Sequence, residues 1–371
     1  MKKLKIKCIE FDKKLIEFKN GINYIIGSNG TGKTTLYNYI ELGLGLQNKN
    51  YSSSRSDIYA KNISISLSIG EDDYRFSRNL NSSIVEIVSE NNRMEYSINS
   101  KEYLEFLNKS FEPKFIFEHK KESIKMILEY HFYSGEMLSR IRNRMNNQYK
   151  LILGVDVGAL DDYDIEIREL ERKLKQEEES NKAVKTYKNR LISQIEKSGI
   201  DKNVVTNLIG MVDAEFFRTY NTLINQNEIL KESREAFKKI QYELHHYEKI
   251  RMEEVLEKTN YNLQRFNFLL DSSEMTENSR KSGGEISIIE IVKRLTTMTL
   301  DSEFNTSSML IADDIFSNLD NYAISLLNEL LGELAEKNGL QVIIFSRNNK
   351  AINKNEIVYN LDSGGANKWI L

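Results

Sequence analysis

Gly27-Ser28-Asn29-Gly30-Thr31-Gly32-Lys33-Thr34 decides the fold. It satisfies G-x-x-x-x-G-K-[S/T], and it lies after an apolar β-type run, INYII (22–26), and before TTLYNYIELGLGL (34–46). In the latter, Leu36, Ile40 and Leu44 recur every four residues as one helical face. Strand, glycine loop and helix form the order that a phosphate site needs. The glycines let backbone N–H groups close around phosphate oxygens, and the helix N-terminus adds partial positive charge. Lys33 is placed to reach the β and γ phosphates and the Thr34 hydroxyl to ligate Mg²⁺, with Thr35 beside it. A chance glycine-rich turn is the competing reading, and the strand–loop–helix setting disfavours it.

Outward from this loop, LKIKCIEF (4–11) reads as a further strand. From Ile63 to Ile98 the pattern alternates (Ile63, Ile65, Leu67, Ile69; then Tyr74, Phe76), broken by GEDD, NLNSS and ENNR, as an antiparallel meander does. A helical stretch with the only proline, Pro113, near its start follows. Residues 161–270 are charge-dense and nearly free of glycine. Ile167, Leu170, Leu174, Val184, Leu191 and Ile195 fall on heptad positions, interrupted by Glu177, Asn181 and Lys188; Leu223, Leu230, Phe237, Ile240, Leu244 and Tyr247 give a second seam beyond SGIDKN (198–203). Two surface helices of a globular subdomain would also fit, but a short antiparallel arm is preferred, its first helix reaching about 50 to 60 Å at 1.5 Å per residue. The α/β pattern resumes after SSEMTENSRKSGG (272–284).

Composition bounds the partners. The 371 residues make about two domains. One proline, where average usage gives about eighteen, permits long helices. Lys plus Arg number 52 and Asp plus Glu 55, a net charge of −3, so no global field draws the chain to nucleic acid and any DNA contact must be local. The lone Cys8 excludes a disulfide framework, a four-cysteine zinc site and a CxxC hook. No run of 18 apolar residues occurs, and the N-terminus alternates apolar and charged residues, so the chain reads as soluble and cytoplasmic.

Two further stretches carry chemistry. MLIADD (309–314) is an apolar run delivering two acids, with Asp313 placed to hold Mg²⁺ and Asp314 to orient or deprotonate an attacking water. KSGGE (281–285), followed by ISIIEIVKRL, can be a capping box with Ser282 as cap and Glu285 three residues on. It also precedes the 309–314 run by about 25 residues, and SNLD (317–320) comes just after that run.

In this order the sequence resembles the ATP-binding-cassette ATPases: P-loop, signature, Walker B, D-loop, switch residue. Within them it resembles the SMC, RecF and zinc-hook repair-ATPase branch, on FKNGINYIIGSNGTGKTTL (18–36), a signature ending in Glu285, LILGVDVGALDDYDIEIREL (151–170) and DDIFSNLD (313–320), the last closest to RecF. The likeness covers residues 1–160 and 271–371, not the tip of the arm. It implies an α/β P-loop head of two lobes, 1–160 and 271–371, interrupted by an antiparallel helical arm, 161–270. It implies ATP and Mg²⁺ as cofactors and a homodimer sandwiching two nucleotides. One head gives Gly27, Ser28, Asn29, Gly30, Thr31, Gly32, Lys33, Thr34, Asp313 and Asp314; the other gives Ser282, Gly283 and Gly284. Thr35, Glu285 and Asp320 complete the nucleotide-contacting set. The implied role is a DNA-acting ATPase in repair, recombination or defence against foreign DNA, beside a separate nuclease or other effector.

The sequence departs from that pattern at three places. Lys281 replaces the usual leucine, Ser134 of YSGE (133–136) stands in the Q-loop glutamine position, and Arg347 of VIIFSRN (342–348) stands for the switch histidine. Arg347 can contact phosphate or be a plain surface arginine. Hook and hinge are absent, which excludes zinc-hook dimerisation and the full SMC architecture. For nucleic acid, Arg140, Arg142, Arg144 and Lys150 lie in a stretch free of acids, 137–155, that could equally be a solvated helix face; Arg78 is a weaker candidate. A scaffold that holds an effector in an ATP-gated manner, with little DNA contact, is the alternative function.

Overall fold

The computed structural model describes residues 2–12, 14–46, 61–90, 92–98, 100–112, 123–134, 152–153, 155, 157–198, 202–266, 268, 283–300, 309–316, 319–347 and 352–362. They divide into two compact units, Met1–Asp156 with Tyr247–Leu371, and Val157–His246.

The first unit contains two sheets. Strands β1 (Leu4–Phe11), β2 (Lys14–Glu17), β4 (Asn62–Ile69), β5 (Asp72–Asn79), β6 (Ile84–Ser89) and β7 (Arg93–Ser97) form an antiparallel sheet in the order β2-β1-β4-β5-β6-β7. The alternation along β4 buries Ile63, Ile65, Leu67 and Ile69 and turns Ser64, Ser66 and Ser68 outward. The second sheet, wholly parallel, has the order β11-β3-β10-β9-β8, built from β3 (Gly21–Ile26), β8 (Phe132–Ser134), β9 (Met309–Asp313), β10 (Gln341–Ser346) and β11 (Ile357–Asn360). Strands β9 and β10 are buried at every residue, which explains the apolar runs 309–312 and 342–345 within them.

Helix α1 (Lys33–Gly43) packs against both sheets. Its Leu36, Tyr37, Tyr39 and Ile40 share one apolar cluster with Ile63 and Ile65 of β4 and with Ile311 and Phe345 of the parallel sheet. Gln341 stitches the sheets together: its amide donates to Ile6 O and accepts from Ile6 N, both at 2.8 Å. On the other face of the parallel sheet, α6 (Gly283–Thr299) and α7 (Asn321–Asn338) bury Ile289, Val292, Leu295, Leu327, Leu330 and Leu331 in a second cluster.

Two expectations are corrected here. Arg78 is 2% exposed, and its Nη1 donates to Leu42 O at 2.9 Å, holding a carbonyl at the end of α1; burial withdraws it from any DNA contact. Helix α2 (Lys101–Phe111), capped by Ser100 accepting from Tyr103 N, stops before Pro113 instead of containing it. A residue preceding proline is disfavoured in the helical region, and Glu112 adopts φ 45 in the left-handed one. Pro113 itself lies outside the described residues. Helix α3 (Ser123–Glu129) leads into β8.

The second unit consists of α4 (Val157–Ser198) and the first part of α5 (Lys202–Arg265). The 42 residues of α4 span about 63 Å, longer than expected from the sequence, because Val157-Gly-Ala-Leu continues the helix toward the N-terminus. The seam residues Ile167 and Leu230 are buried, and Leu170, Leu174, Val184, Leu191, Leu223, Phe237 and Leu244 half-buried. Between the helices, Lys188 pairs with Asp213, and Arg234 with Glu171 at 2.6 Å. Thus one of the residues that interrupts the seam finds its counter-charge across it. Among the described residues no helix is long and apolar enough to cross a membrane.

Candidate nucleotide site

The register of the parallel sheet assembles the site. Ile26 pairs with Ser346, Phe345 with Asp313, and Asp313 with Ser134, so the chain leaves all four strands at one edge. The loop after β3, Arg347 after β10, the acids closing β9 and the backbone of Ser134 therefore stand together. Parallel α/β sheets place ligands at this carboxyl edge.

Gly27 begins the loop buried, its N–H donating to Ser346 O at 3.2 Å. A Cβ there would lie 2.5 Å from Thr31 Oγ1 and 2.9 Å from Leu361 Cβ, so only glycine fits. Gly32 caps α1 at φ 97, a left-handed conformation for which glycine carries no steric penalty. Ser28, Asn29 and Gly30 are exposed and Thr31 half-buried, with Thr31 Oγ1 donating to Ser28 O at 2.8 Å. Lys33, Thr34 and Thr35 form the first turn of α1; Thr34 is exposed and Thr35 half-buried.

Lys33 Nζ donates to the carbonyls of Gly27 and Ser28, each at 2.7 Å. Burial pushes its ammonium below the usual lysine range; Asp313 and Asp314 oppose this, Arg347 adds to it, and Asp362 opposes it weakly. Asp313, Asp314, Arg347 and Asp362 thus all act on Lys33 at a single edge.

Asp313 is 3% exposed at the end of β9. The next residue, Asp314, is half-buried at φ 54, and its N–H donates to Phe345 O at 3.0 Å. This left-handed turn, which aspartate tolerates better than most residues, takes the chain out of the sheet directly after Asp313. The Asp313 carboxylate and the Thr34 hydroxyl are hard oxygen donors, the kind that suits a magnesium ion. Arg347 is exposed.

The remaining sequence-predicted residues fall elsewhere. Gly283, Gly284 and Glu285 make the first turn of α6, with Gly284 buried. Asp320 is the N-cap of α7, accepting from Ala323 N at 2.8 Å. Lys281, Ser282, Arg140, Arg142, Arg144 and Lys150 lie outside the described residues, as does the side chain of Ser134.

Two residues escaped the reading of the sequence. Asp362 Oδ1 and Oδ2 both accept from Ser28 N at 3.0 Å. Its signal was an acid just after the apolar run IVYNL (357–361), the pattern already noticed in MLIAD. Arg294, within the apolar helix ISIIEIVKRL, is 5% exposed and donates from Nη1 to Tyr130 O and Phe132 O. The sequence carried no distinct signal for it, since Lys293 beside it is also a cation and Glu290 lies in the same helix.

An AAA domain model matches residues 5–300. No protein of curated function matches the sequence. Among solved structures, the Smc head domain with an extended coiled coil bound to the C-terminal domain of ScpA, from Pyrococcus furiosus, is similar at 14% identity and a TM-score of 0.53, covering 93% of this chain and 90% of that one. An Smc head bound to the C-winged helix domain of ScpA gives 12% and 0.48, with 93% and 90% covered. The Smc head with a coiled coil and joint from Pyrococcus yayanosii gives 12% and 0.44, with 92% of each chain covered. At such identities the likeness speaks for the fold alone, and the first carries it. The chain belongs to the AAA domain family, and its fold is that of an SMC-like P-loop ATPase head interrupted by a helical arm.

Proposed function

We propose that this protein binds and hydrolyses ATP with Mg²⁺, closes as a homodimer around two nucleotides, and acts on DNA in repair, recombination or defence against foreign DNA. The observation carrying this reading is the meeting of Lys33, Asp313, Asp314 and Arg347 at one sheet edge beside an exposed glycine-rich loop. The loop N–H groups and Lys33 hold the triphosphate, and Arg347 faces its outer end. Thr34 and Asp313 would hold the metal, which would supply positive charge against the phosphates. Asp314 accepts the proton of the attacking water or orients it.

In the dimer, Ser282, Gly283, Gly284 and Glu285 of one head, with Asp320, meet the nucleotide of the other. The γ-phosphate then completes the interface, and its loss opens it. Functionally the chain divides into an N-terminal lobe, 1–160, an arm, 161–270, and a C-terminal lobe, 271–371, working in the cytoplasm with a separate nuclease or effector. The Pyrococcus furiosus head is bound to a domain of ScpA; a separate protein seated on a head is the arrangement proposed here.

With a net charge of −3 and Arg78 buried, DNA affinity rests on Arg140, Arg142, Arg144 and Lys150. The same two facts favour the second reading, an ATP-gated scaffold for an effector. Phosphate release measured with and without duplex DNA at low salt separates them. Stimulation that Arg140→Ala, Arg142→Ala and Arg144→Ala together remove, with a log–log salt slope flattened by about one unit per cation, supports the first. Turnover indifferent to DNA supports the scaffold.

A further inference from the structure

Resting on the nucleotide-site reading above, we infer that Asp362 is a positioning residue of that site, fixing the first turn of the phosphate loop through the Ser28 N–H. The strand that carries it is the neighbour of the strand that feeds the loop: Asn360 pairs with Ile26, and Leu361 N donates to Ile26 O at 2.8 Å. Past this pair the chain turns onto the loop. The Cβ of Leu361 lies where only a glycine at 27 can meet it, and both carboxylate oxygens of Asp362 accept from Ser28 N at 3.0 Å. Asp362 N in turn donates to Asn360 Oδ1 at 3.0 Å, an Asx-type turn that sets the direction of the carboxylate.

Ser28 is held from both sides of its peptide framework. Its carbonyl accepts from Thr31 Oγ1 at 2.8 Å and from Lys33 Nζ at 2.7 Å, while its N–H goes to Asp362. A lysine that turns to phosphate gives up the Gly27 and Ser28 carbonyls. The Asp362 contact does not depend on that lysine, so it persists when nucleotide arrives and is the restraint on the Ser28 N–H, as the Thr31 hydroxyl is on the Ser28 carbonyl.

Asp362 also places a negative charge near an anion site, which opposes binding. Two facts make this the smaller effect. Asp362 is exposed, so its field is screened by water and salt, and its influence on Lys33 is weaker than that of Asp313, Asp314 or Arg347. A hydrogen bond to the backbone acts at contact distance, where screening does not reach. Removing the carboxylate should therefore weaken ATP binding, not strengthen it.

The test is calorimetric titration of Mg-ATP into the full chain as wild type, Asp362→Ala, Asp362→Asn and Lys33→Ala, with steady-state turnover on the same samples. Asp362→Ala is expected to raise Kd and KM about fivefold, the scale of one hydrogen bond at an exposed site, with kcat changed less than about twofold. Asp362→Asn keeps an acceptor oxygen in nearly the same shape and should recover most of the affinity, and it remains informative if the alanine variant does not fold. Wild-type affinity in Asp362→Ala, or tighter binding in either variant, overturns this inference while Lys33→Ala still reports on the site. If the wild type binds no ATP, both this inference and the reading beneath it fall.

Discussion

The guanidinium of Arg294 lies over the Tyr130 ring, 4.6 Å from its centroid, and Nη1 donates to the Tyr130 carbonyl at 2.6 Å. A second bond runs to Phe132 O at 3.0 Å, and the Tyr133 ring is 5.3 Å away. One buried cation thus joins α6, which opens with Gly283, to the chain entering β8, whose Ser134 is in register with Asp313. Two parts of the proposed site are tied together through the core.

Replacing that cation should be costly. Arg294→Leu leaves two buried carbonyls without this donor and removes both ring contacts, so a loss of about 2–4 kcal/mol is expected, read as a lowered urea midpoint at unchanged slope. A change below about 0.5 kcal/mol contradicts the view that Arg294 braces the two elements.

His131 predicts an acid-sensitive fold. It is fully buried, its Nδ1 lies 3.0 Å from Leu128 O and 3.1 Å from Ile127 O, and burial lowers its pKa to about 4; the two carbonyls oppose that shift and Arg294 adds to it. The carbonyls can only accept, so Nδ1 carries the proton of the neutral ring. An unfolded histidine titrates near 6.5, so between about 6.5 and 4 the unfolded chain binds the extra proton and the folded chain does not. Stability from this residue is complete above pH 6.5 and falls as pH drops toward 4, by on the order of 2–3 kcal/mol. Denaturant unfolding at pH 7.5 and 4.5 should show a smaller loss in His131→Gln than in wild type; equal losses contradict the assignment.

Much of the fold was legible, and for identifiable reasons. Alternation from Ile63 to Ile69 is the signature of a half-buried strand, and the largely apolar INYII and MLIAD that of strands covered on both faces. The glycine loop stood out because its spacing has a single common use. Less visible was whatever depended on distant pairing. Nothing in the sequence says that β10 lies between β3 and β9, yet that order brings Arg347 to Lys33. Phe132–Ser134 is too short for a period to show. Arg78 looks like any surface cation until α1 supplies a carbonyl for it, and Asp362 gains meaning only when β11 is laid beside β3.

The backbone at Asp314 makes a clean test of chemistry possible. Its φ of 54 suits asparagine nearly as well as aspartate, so Asp314→Asn should preserve the turn. Turnover should fall by about 100-fold or more while the Kd for Mg-ATP stays within about threefold, and light scattering should show a dimer that persists with ATP. Normal turnover in Asp314→Asn assigns the proton-accepting role elsewhere.

Everything proposed here depends on a triphosphate held by the loop, and titrating Mg-ATP into wild type and Lys33→Ala by calorimetry tests that most directly. Lys33 bonds to two loop carbonyls and belongs to neither apolar cluster, so alanine should leave the fold intact and lower the melting temperature by no more than a few degrees. The account predicts saturable binding by the wild type and at least about a 30-fold loss in Lys33→Ala, the scale of a charge-assisted phosphate contact. Equal affinity in the two proteins, or no binding by the wild type, contradicts it.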